Sequence, residues 1–389
     1  MMVYMNLRGV KILLKPTKEQ EQKFFDSAFY ADLMLNTALQ WNIDYYNSEG
    51  KFYSYFDMLN KLPAFKKENP DFSIPSVIAL QGACKDVRNA LDRMKSGNRF
   101  PRFKKAGKYL SFLVQNGNFP YIRANYVELP KMGKVKCKHC HWLTKDKTEC
   151  QYIRMKTYNS RVKYDGKYWF LIFAIEVDIT ADNTTDEVVG LDLGIEKTIT
   201  TSSGVVYSNI NKTRKVLILQ RRKKRLQRKI ARKYELNKEG KRFIKTKNIK
   251  RLEKQVRLID RKLSNIRENY NQSIVNDIIS KYPKRIMIED LNVKGMMKNR
   301  HLARAIQEQQ FYRIRQLLTE KALNTINIQI GVVNRFYPSS KLCHTCDFKN
   351  KYLKVSDRIF RCPNCGSVID RDYNAALNLR DCDDYKLAF

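Results

Sequence analysis

The sequence contains no long apolar run. The longest, residues 168–175, is eight residues, far short of the roughly 20 that a membrane-crossing helix needs. Asn6, Arg8 and Lys11 interrupt the first residues, so no signal peptide is expected there. No GxxxxGK phosphate loop occurs, and no internal repeat or low-complexity tract, which removes the usual sign of nucleotide hydrolysis. Negative charge is also scarce. Asp and Glu total 39 against 75 Lys and Arg, for a formal net charge of +36. That much like charge repels itself unless a polyanion neutralises it. Nucleic acid is the obvious polyanion, because neutralising phosphates releases condensed counterions. A membrane-surface protein and a merely basic soluble protein are the alternatives, and the missing apolar run gives the first little support.

What is present supports a folded protein. Hydrophobic residues make up 43% of the 389, enough for a packed interior, and the length suggests two or three domains. Nine cysteines without a secretion signal point to a reducing compartment and to metal binding instead of disulfides.

Residues 7–14 read as an opening strand ended by Pro16. Thr17 and Gln20 form a capping-box pattern ahead of a helix running to about Asn42. A second helix follows Pro75, with Leu80, Cys84, Val87, Leu91 and Met94 on one face; Cys84 is then a buried apolar residue and not a ligand. Between about 100 and 180 the pattern changes to strands, with a hairpin closed by Asp165-Gly166. The polar stretch 181–187 reads as a linker. Residues 188–194 form a buried-strand pattern, followed by a hairpin turning at Ser202 to Gly204.

Residues 212–268 hold 24 Lys or Arg and 5 Asp or Glu, more than half of the net charge. Ile249, Leu252, Val256, Ile259, Leu263, Ile266 and Tyr270 keep heptad spacing, so a long helix with one apolar seam is predicted. Leu219, Leu226 and Ile230 mark a weaker partner helix, with the turn at Asn237 to Gly240. With so few acids to pair, the face carrying Arg221, Arg222, Lys223, Lys224, Arg225, Arg228, Lys229, Arg232 and Lys233 is expected to meet nucleic acid; a merely solvated hairpin is the alternative. Arg285 to Glu289 reads as another buried strand. A helix is predicted over 301–324 with Ile314, Leu317 and Leu318 inward, and then a half-buried strand on Ile326, Ile328, Ile330 and Val332.

Cys343-x-x-Cys346 and Cys362-x-x-Cys365 are separated by fifteen residues. Two such knuckles predict a tetrahedral four-thiolate zinc site, closed and therefore structural. Gly366 supplies backbone freedom for the second turn, and His344 is a bystander. Cys137, Cys140, His141 and Cys150 offer a second candidate set, but strand alternation would put Cys137 and Cys140 on opposite faces.

Metal-assisted phosphodiester hydrolysis needs carboxylates that converge from apolar surroundings. Asp192, Glu289 and Asp372 each stand in such a context, where an unpartnered acid is costly. The segments Gly190-Leu-Asp-Leu-Gly194, Ile288-Glu-Asp-Leu-Asn292 and Asp370-Arg-Asp-x-Asn-Ala-Ala376 resemble the three RuvC motifs of the TnpB nucleases, with the zinc ribbon between the second and third as in that family. Lys15-Pro-Thr-Lys-Glu-Gln20, Phe100-Pro-Arg-Phe103, Leu129-Pro-Lys131 and Tyr337-Pro-Ser-Ser-Lys341 match it too.

The resemblance implies a multidomain α/β protein. It would have an RNase H-like RuvC nuclease over 188–338 and 368–389, with a basic helical hairpin at 212–270 and an inserted zinc ribbon at 339–367. A helical recognition lobe at 16–105 would be inserted into a wedge β-barrel made of 1–15 and 106–180. It implies that Asp192, Glu289 and Asp372 bind two catalytic magnesium ions, and that Asp372 is the third acid in preference to Asp370. Asp290 should point away from Glu289 if the strand continues. A guide RNA paired to target DNA would be the partners, held by shape and backbone next to a short motif read by the protein, in a prokaryotic cytosol or nucleoid. Arg99, Arg102 and Lys104, around Phe100-Pro-Arg-Phe103, join the expected nucleic-acid contacts. The chain departs from the pattern in ending 17 residues after Asp372 and in its cysteine-rich 137–150 segment. Rival readings are a miniature type V CRISPR effector, a non-cleaving guide-dependent regulator, a zinc-ribbon RNA-binding protein with structural acids, and a DDE transposase. The late zinc ribbon fits the last poorly, and the ordered acid motifs argue against the two non-cleaving readings.

Overall fold

The computed structural model describes residues 7–105, 107, 110–118, 125–138, 156–176, 184–240, 242–323, 328–354 and 356–388. The chain divides into two compact units, 1–177 and 178–389.

In the first unit, β1 (Leu7–Lys15) buries Val10, Ile12 and Leu14 on alternate positions. Thr17 then caps α1 (Lys18–Glu49): its hydroxyl accepts from the Gln20 backbone N–H while its own N–H donates to the Gln20 side chain. The helix continues past Asn42 to Gly50, whose φ of 70° suits a residue without a side chain. Its added turns are held by stacking across the turn, Tyr45 on Tyr53 with centroids 4.0 Å apart and Tyr46 on Phe52 at 4.7 Å. Contacts of that kind have no helical period, so spacing does not reveal them. A helix that spacing does not predict, α2 (Tyr55–Glu68), starts at a second capping box, Ser54 with Asp57.

α3 (Val77–Lys95) buries Leu80, Cys84, Val87 and Leu91 as predicted, while Met94 is only half-buried. Burial pushes the Cys84 thiol up to about 12, which suits an inert core residue. β2 (Ser111–Asn118), β3 (Tyr126–Leu129), β4 (Gly133–Cys137), β5 (Lys156–Tyr164) and β6 (Trp169–Glu176) join β1 in one antiparallel sheet, ordered β2-β5-β6-β1-β4-β3. α1 covers it through Phe24, Ala28 and Ala31, with Phe24 edge-on to Trp169. Among the described residues no ladder joins β2 to β3. Cys137 is buried beside Val135 on β4; Cys140, His141 and Cys150 lie outside the described residues.

The second unit begins with the antiparallel meander β7 (Val188–Leu193), β8 (Lys197–Thr201) and β9 (Val206–Ser208). α4 (Arg214–Leu236) and α5 (Lys247–Ile279) form the predicted basic hairpin, and its turn carries the two short strands β10 (Lys238–Glu239) and β11 (Arg242–Phe243). Val216, Leu219 and Leu226 meet Ile259, Leu263 and Ile266 along the seam. α5 then extends beyond Tyr270 to drive Ile274, Val275, Ile278 and Ile279 into the sheet core.

β12 (Arg285–Glu289) follows, then α6 (Val293–Met296), α7 (Ala303–Gln309) and α8 (Phe311–Leu323). The single helix predicted over 301–324 is therefore broken. Gln310 takes a φ of 57°, and side-chain amides hold the break: Asn271 donates to Gln310 at 3.0 Å, and the buried Gln309 donates to the Ile195 carbonyl at 2.9 Å. The remaining elements are β13 (Gln329–Val333), β14 (Ile359–Arg361), β15 (Val368–Asp370), α9 (Arg371–Arg380) and β16 (Tyr385–Leu387).

The second sheet runs β16-β13-β12-β7-β8-β9, with β7, β12 and β13 mutually parallel. α5 and α8 cover one face, and Leu379 of α9 packs on Met287 and Val333 from the other. Ile328, Ile330 and Val332 face the first core as predicted, Ile326 lies outside the described residues, and the opposite face is covered as well. Ile330 and Val333 are both buried and Val332 is half-buried, because a strand covered on both faces loses its period-two pattern.

Candidate active site and metal centre

Parallel strands place their functional groups at their carboxyl ends. Ile288 of β12 pairs with Leu191 of β7, so Asp192 and Glu289 are the next residues along neighbouring strands. Side chains alternate between faces. Leu191 and Ile288 enter the core under α5 and α8, which turns Asp192 and Glu289 to the other face, where α9 lies. Gly190 shares that face, and a methyl group built on it would overlap the Ala376 carbonyl oxygen and lie 2.6 Å from the Arg380 nitrogen. The helix is therefore seated directly on β7.

α9 carries the third acid. Asp370 is its N-cap, accepting from the backbone N–H groups of Asp372 and Tyr373, both at 3.0 Å. Asp372 is 9% exposed in the first turn, where the unpaired N–H groups favour negative charge. Lys197 of β8 reaches both acids, 2.9 Å from Asp370 Oδ2 and 3.6 Å from Asp372 Oδ2, and Arg371 lies 3.4 Å from Asp372 Oδ1.

Asp192 keeps part of its surface open, yet the surrounding protein and nearby charge crowd its carboxyl. Burial first, then the charges of Asp372 and Glu289, push it up to about 7. Glu289 is raised as well, by burial and by Asp290. Asp290 behaves differently. Burial would raise it, but Arg335 and Arg315, 2.7 and 3.0 Å away, hold it below the usual carboxylate range. Glu289, the last residue of β12, and Asp290 just after it thus differ: the first is raised by burial and the second is ion-paired to two arginines. The charges of Asp372 and Glu289 crowd Asp192, a load that a cation would relieve, and oxygen donors suit a hard divalent ion. Among the described residues, no three carboxylates have oxygens within 4.8 Å of one another.

The four cysteines do meet that distance. Cys343 Sγ lies 3.7 Å from Cys365 Sγ, and Cys346 Sγ lies 3.6 Å from Cys362 Sγ. A zinc–sulfur bond of about 2.3 Å sets tetrahedral sulfurs about 3.8 Å apart, so the spacing fits a four-thiolate metal site. Gly366 takes a φ of 73° in the second knuckle and returns its N–H to Cys362. His344 is outside the cluster, with Nδ1 3.6 Å from Asp381.

The ribbon is tied to α9 by two asparagines. Asn374 donates to the Leu342 carbonyl at 2.7 Å and accepts from the His344 N–H at 3.1 Å. Asn378 donates to the Ser339 and Leu342 carbonyls, both at 2.7 Å. Both are buried. Asn374 lies inside the third motif, but nothing in the sequence marks its role or those of Asn378 and Lys197. The buried asparagines have no period to betray them, and Lys197 acquires its meaning only from the strand pairing.

The basic residues separate into two groups, one in each unit. On α4, Arg221, Arg222, Lys224, Arg225, Arg228, Lys229 and Arg232 are exposed, while Lys223 and Lys233 are half-buried; Lys223 pairs with Asp260 at 2.5 Å. A cleft of about 830 Å³ lies among α4, α5 and α7, lined by Arg221, Lys223, Lys224, Arg267 and Arg304 against Asp260 and Glu308. It lies on the hairpin, not over the acids, and its excess positive charge suits phosphate. In the other unit Arg99 and Arg102 are exposed beside Phe100 and Phe103, and the Lys104 backbone is bound on both sides by Asn36. No helix among the described residues is long and apolar enough to cross a membrane.

Residues 172–300 match the family described as "Probable transposase", and residues 311–379 match "Cas12f1-like, TNB domain". A Streptomyces pristinaespiralis protein named "Putative RNA-guided DNA endonuclease" is 26% identical over 378 residues, covering 96% of this chain and 88% of that protein. The "TnpB-like protein L79" of Acanthamoeba polyphaga mimivirus is 30% identical over 142 residues, 35% of this chain and 26% of that protein. Among solved structures, one described as a Cas12f1-sgRNA-target DNA complex aligns with a TM-score of 0.59 at 14% identity, covering 95% of this chain and 84% of that one. That likeness is one of fold, a mixed α/β architecture. The chain is thus similar along nearly its whole length to a protein named as an RNA-guided DNA endonuclease, and over about a third of its length to a TnpB-like protein.

Proposed function

We propose that this chain is an RNA-guided DNA endonuclease of the TnpB type, cutting DNA at a single carboxylate centre made of Asp192, Glu289 and Asp372. The observation that carries the reading is placement: Asp192 and Glu289 stand at neighbouring strand ends, on the face where α9 begins and carries Asp372 in its first turn. The strand order, with an antiparallel meander running into three parallel strands, supports an RNase H-like RuvC domain. In the same reading the first sheet is the wedge barrel and α1–α3 are the recognition lobe between its first two strands. The names of the relatives and of the structural neighbour support guide RNA and target DNA as partners.

Asp192, Glu289 and Asp372 would hold the magnesium. Bound there, a divalent pair supplies charge stabilisation and an activated water for phosphodiester hydrolysis. The chain's own contribution is positional. Gly190 lets α9 approach β7, Asp370 caps the helix that presents Asp372, and Arg315 and Arg335 neutralise Asp290 so that it does not compete with Glu289 for the ion. The four cysteines would hold one structural zinc, since a closed thiolate set leaves no open position for substrate. The basic face of α4 would contact the RNA or the heteroduplex through phosphates.

The test is cleavage of guide-matched DNA by the chain expressed with its native flanking DNA. Asp192→Ala should abolish cutting and leave guide binding intact, whereas magnesium-dependent cutting by that variant would sink the assignment. Sequencing the RNA that co-purifies separates the guide classes. A discrete RNA from the neighbouring element supports the TnpB form, and a processed repeat-spacer RNA would make the chain a miniature CRISPR effector.

A further inference from the structure

Phe336 is 87% exposed, yet it sits on a loop that is anchored on both sides. Its N–H donates to Asn334 Oδ1 at 3.0 Å, and the next N–H, of Tyr337, donates to the Asn334 carbonyl at 3.0 Å. Before it, Arg335 is fastened to Asp290 at 2.7 Å. After it, the Tyr337 hydroxyl donates to the Asn378 carbonyl of α9 at 3.2 Å, and Ser339 is buried. A lone exposed apolar ring on a loose tip needs no explanation. An exposed ring whose neighbours on both sides are pinned is held out in one place.

That place is informative. Val333, the last residue of β13, pairs with Glu289, and the Phe336 loop leaves the sheet immediately afterwards. The loop therefore emerges at the edge from which Asp192 and Glu289 project. Arg335, the residue before the ring, shares the single acid Asp290 with Arg315, so two guanidiniums stand against one carboxylate there.

We propose that Phe336 is a base-stacking residue that holds an unpaired nucleotide of single-stranded DNA beside the Asp192–Glu289–Asp372 centre. The inference rests on the nuclease reading above and adds to it how the strand is positioned. An enzyme whose target is chosen by base pairing cannot read the bases at its own cutting site. Stacking meets that need, because every base has a π-face and the contact tolerates any sequence. The ring fixes the base while the adjacent guanidinium excess attracts the phosphate, so the backbone is registered against the acids without sequence readout.

The experiment uses the full chain in magnesium-free buffer and a single-stranded DNA of about 12 nucleotides carrying 5-iododeoxyuridine. Long-wavelength irradiation joins iodouracil to an aromatic ring stacked on it, and peptide mapping locates the adduct. The expected result is an adduct at Phe336 that disappears in Phe336→Ala and returns in Phe336→Trp. The Ala variant should bind the same probe about 5- to 150-fold more weakly, the range for losing one stacked base. Adducts confined to other aromatic residues, or an Ala variant that binds as tightly as the parent, would overturn the proposal. So would a Trp variant that melts normally but fails like Ala. No cleavage is read, so failure of the nuclease assignment in the Asp192→Ala assay is seen separately.

Discussion

Gly190 and Ala376 touch so closely that no side chain fits between them: a methyl group on Gly190 would overlap the Ala376 carbonyl oxygen and crowd the Arg380 nitrogen at 2.6 Å. The obstructing atoms are backbone, so no rotamer change relieves the clash and α9 must move off β7. Asp372 rides on α9, and its position relative to Asp192 moves with it. Gly190→Ala is expected to cost about 1–3 kcal/mol of stability, the usual range for overpacking, and to lose most DNA cleavage. Gly9→Ala, with open space around it, serves as the control. Thermal melting together with a cleavage assay checks this; a Gly190 variant that melts and cuts like the parent would show that α9 does not depend on this contact.

Asp192 makes the metal-free protein sensitive to pH. Its carboxyl is raised from 3.8 to about 7 by burial and by the charges of Asp372 and Glu289. Below the unfolded value both states hold the proton and the group contributes nothing. Between the two values the folded state keeps its proton while the unfolded state loses it, so stability falls as pH rises. Above the folded value the penalty is complete. Asp192→Asn, neutral throughout, should therefore melt higher than the parent at about pH 8 without magnesium, with the gap closing toward about pH 4. Magnesium should raise the parent's melting temperature more than the variant's. A variant that melts lower than the parent across this range would contradict the account.

Much of this arrangement is legible in the sequence because it follows local period or fixed spacing. The cysteine knuckles, the Thr17 capping box, the heptad seam of α5 and the buried strands around Asp192 and Glu289 are all of this kind. What escapes is non-periodic. The end of α1 depends on Tyr45 and Tyr46 stacking across a turn, and the break at Gln310 depends on amides from distant elements. The burial of Val333 on the second face of β13 depends on α9. At the acid site the sequence presents the three acids one at a time. Lys197 joins them only because β8 folds back beside β7.

The ribbon and the catalytic helix share buried hydrogen bonds, so metal loss should reach the acid site. Cys362→Ser is expected to lower bound zinc from about one per chain and to destabilise the fold, because a structural site contributes its binding energy to folding. Asn374→Ala should leave zinc bound while removing the bonds to Leu342 and His344; Asn378 still serves the Leu342 carbonyl, so the cost is about 1–3 kcal/mol for the His344 N–H left unsatisfied. Metal analysis combined with melting separates the two variants. Full zinc in a purified Cys362→Ser protein would refute the four-thiolate assignment, and an Asn374→Ala protein of unchanged stability would refute the coupling.

Lys197 stands where it must affect metal binding. Its ammonium lies 2.9 Å from Asp370 and 3.6 Å from Asp372. Burial would lower the pKa of this amine, but the hydrogen bonds and charges of the two aspartates outweigh that and raise it. The lysine is thus a fixed cation partly neutralising an acid that would bind magnesium. Removing it leaves Asp372 with more uncompensated charge, which favours the ion and penalises the metal-free state. Lys197→Met should lower the magnesium needed for half-maximal cleavage by roughly tenfold, equivalent to about 1.4 kcal/mol, and should lower the melting temperature without magnesium. Lys197→Arg, which keeps the charge, should stay near the parent in both. The opposite shift, more magnesium needed by the Met variant, would mean that Lys197 organises the carboxylates for the ion and does not compete with it.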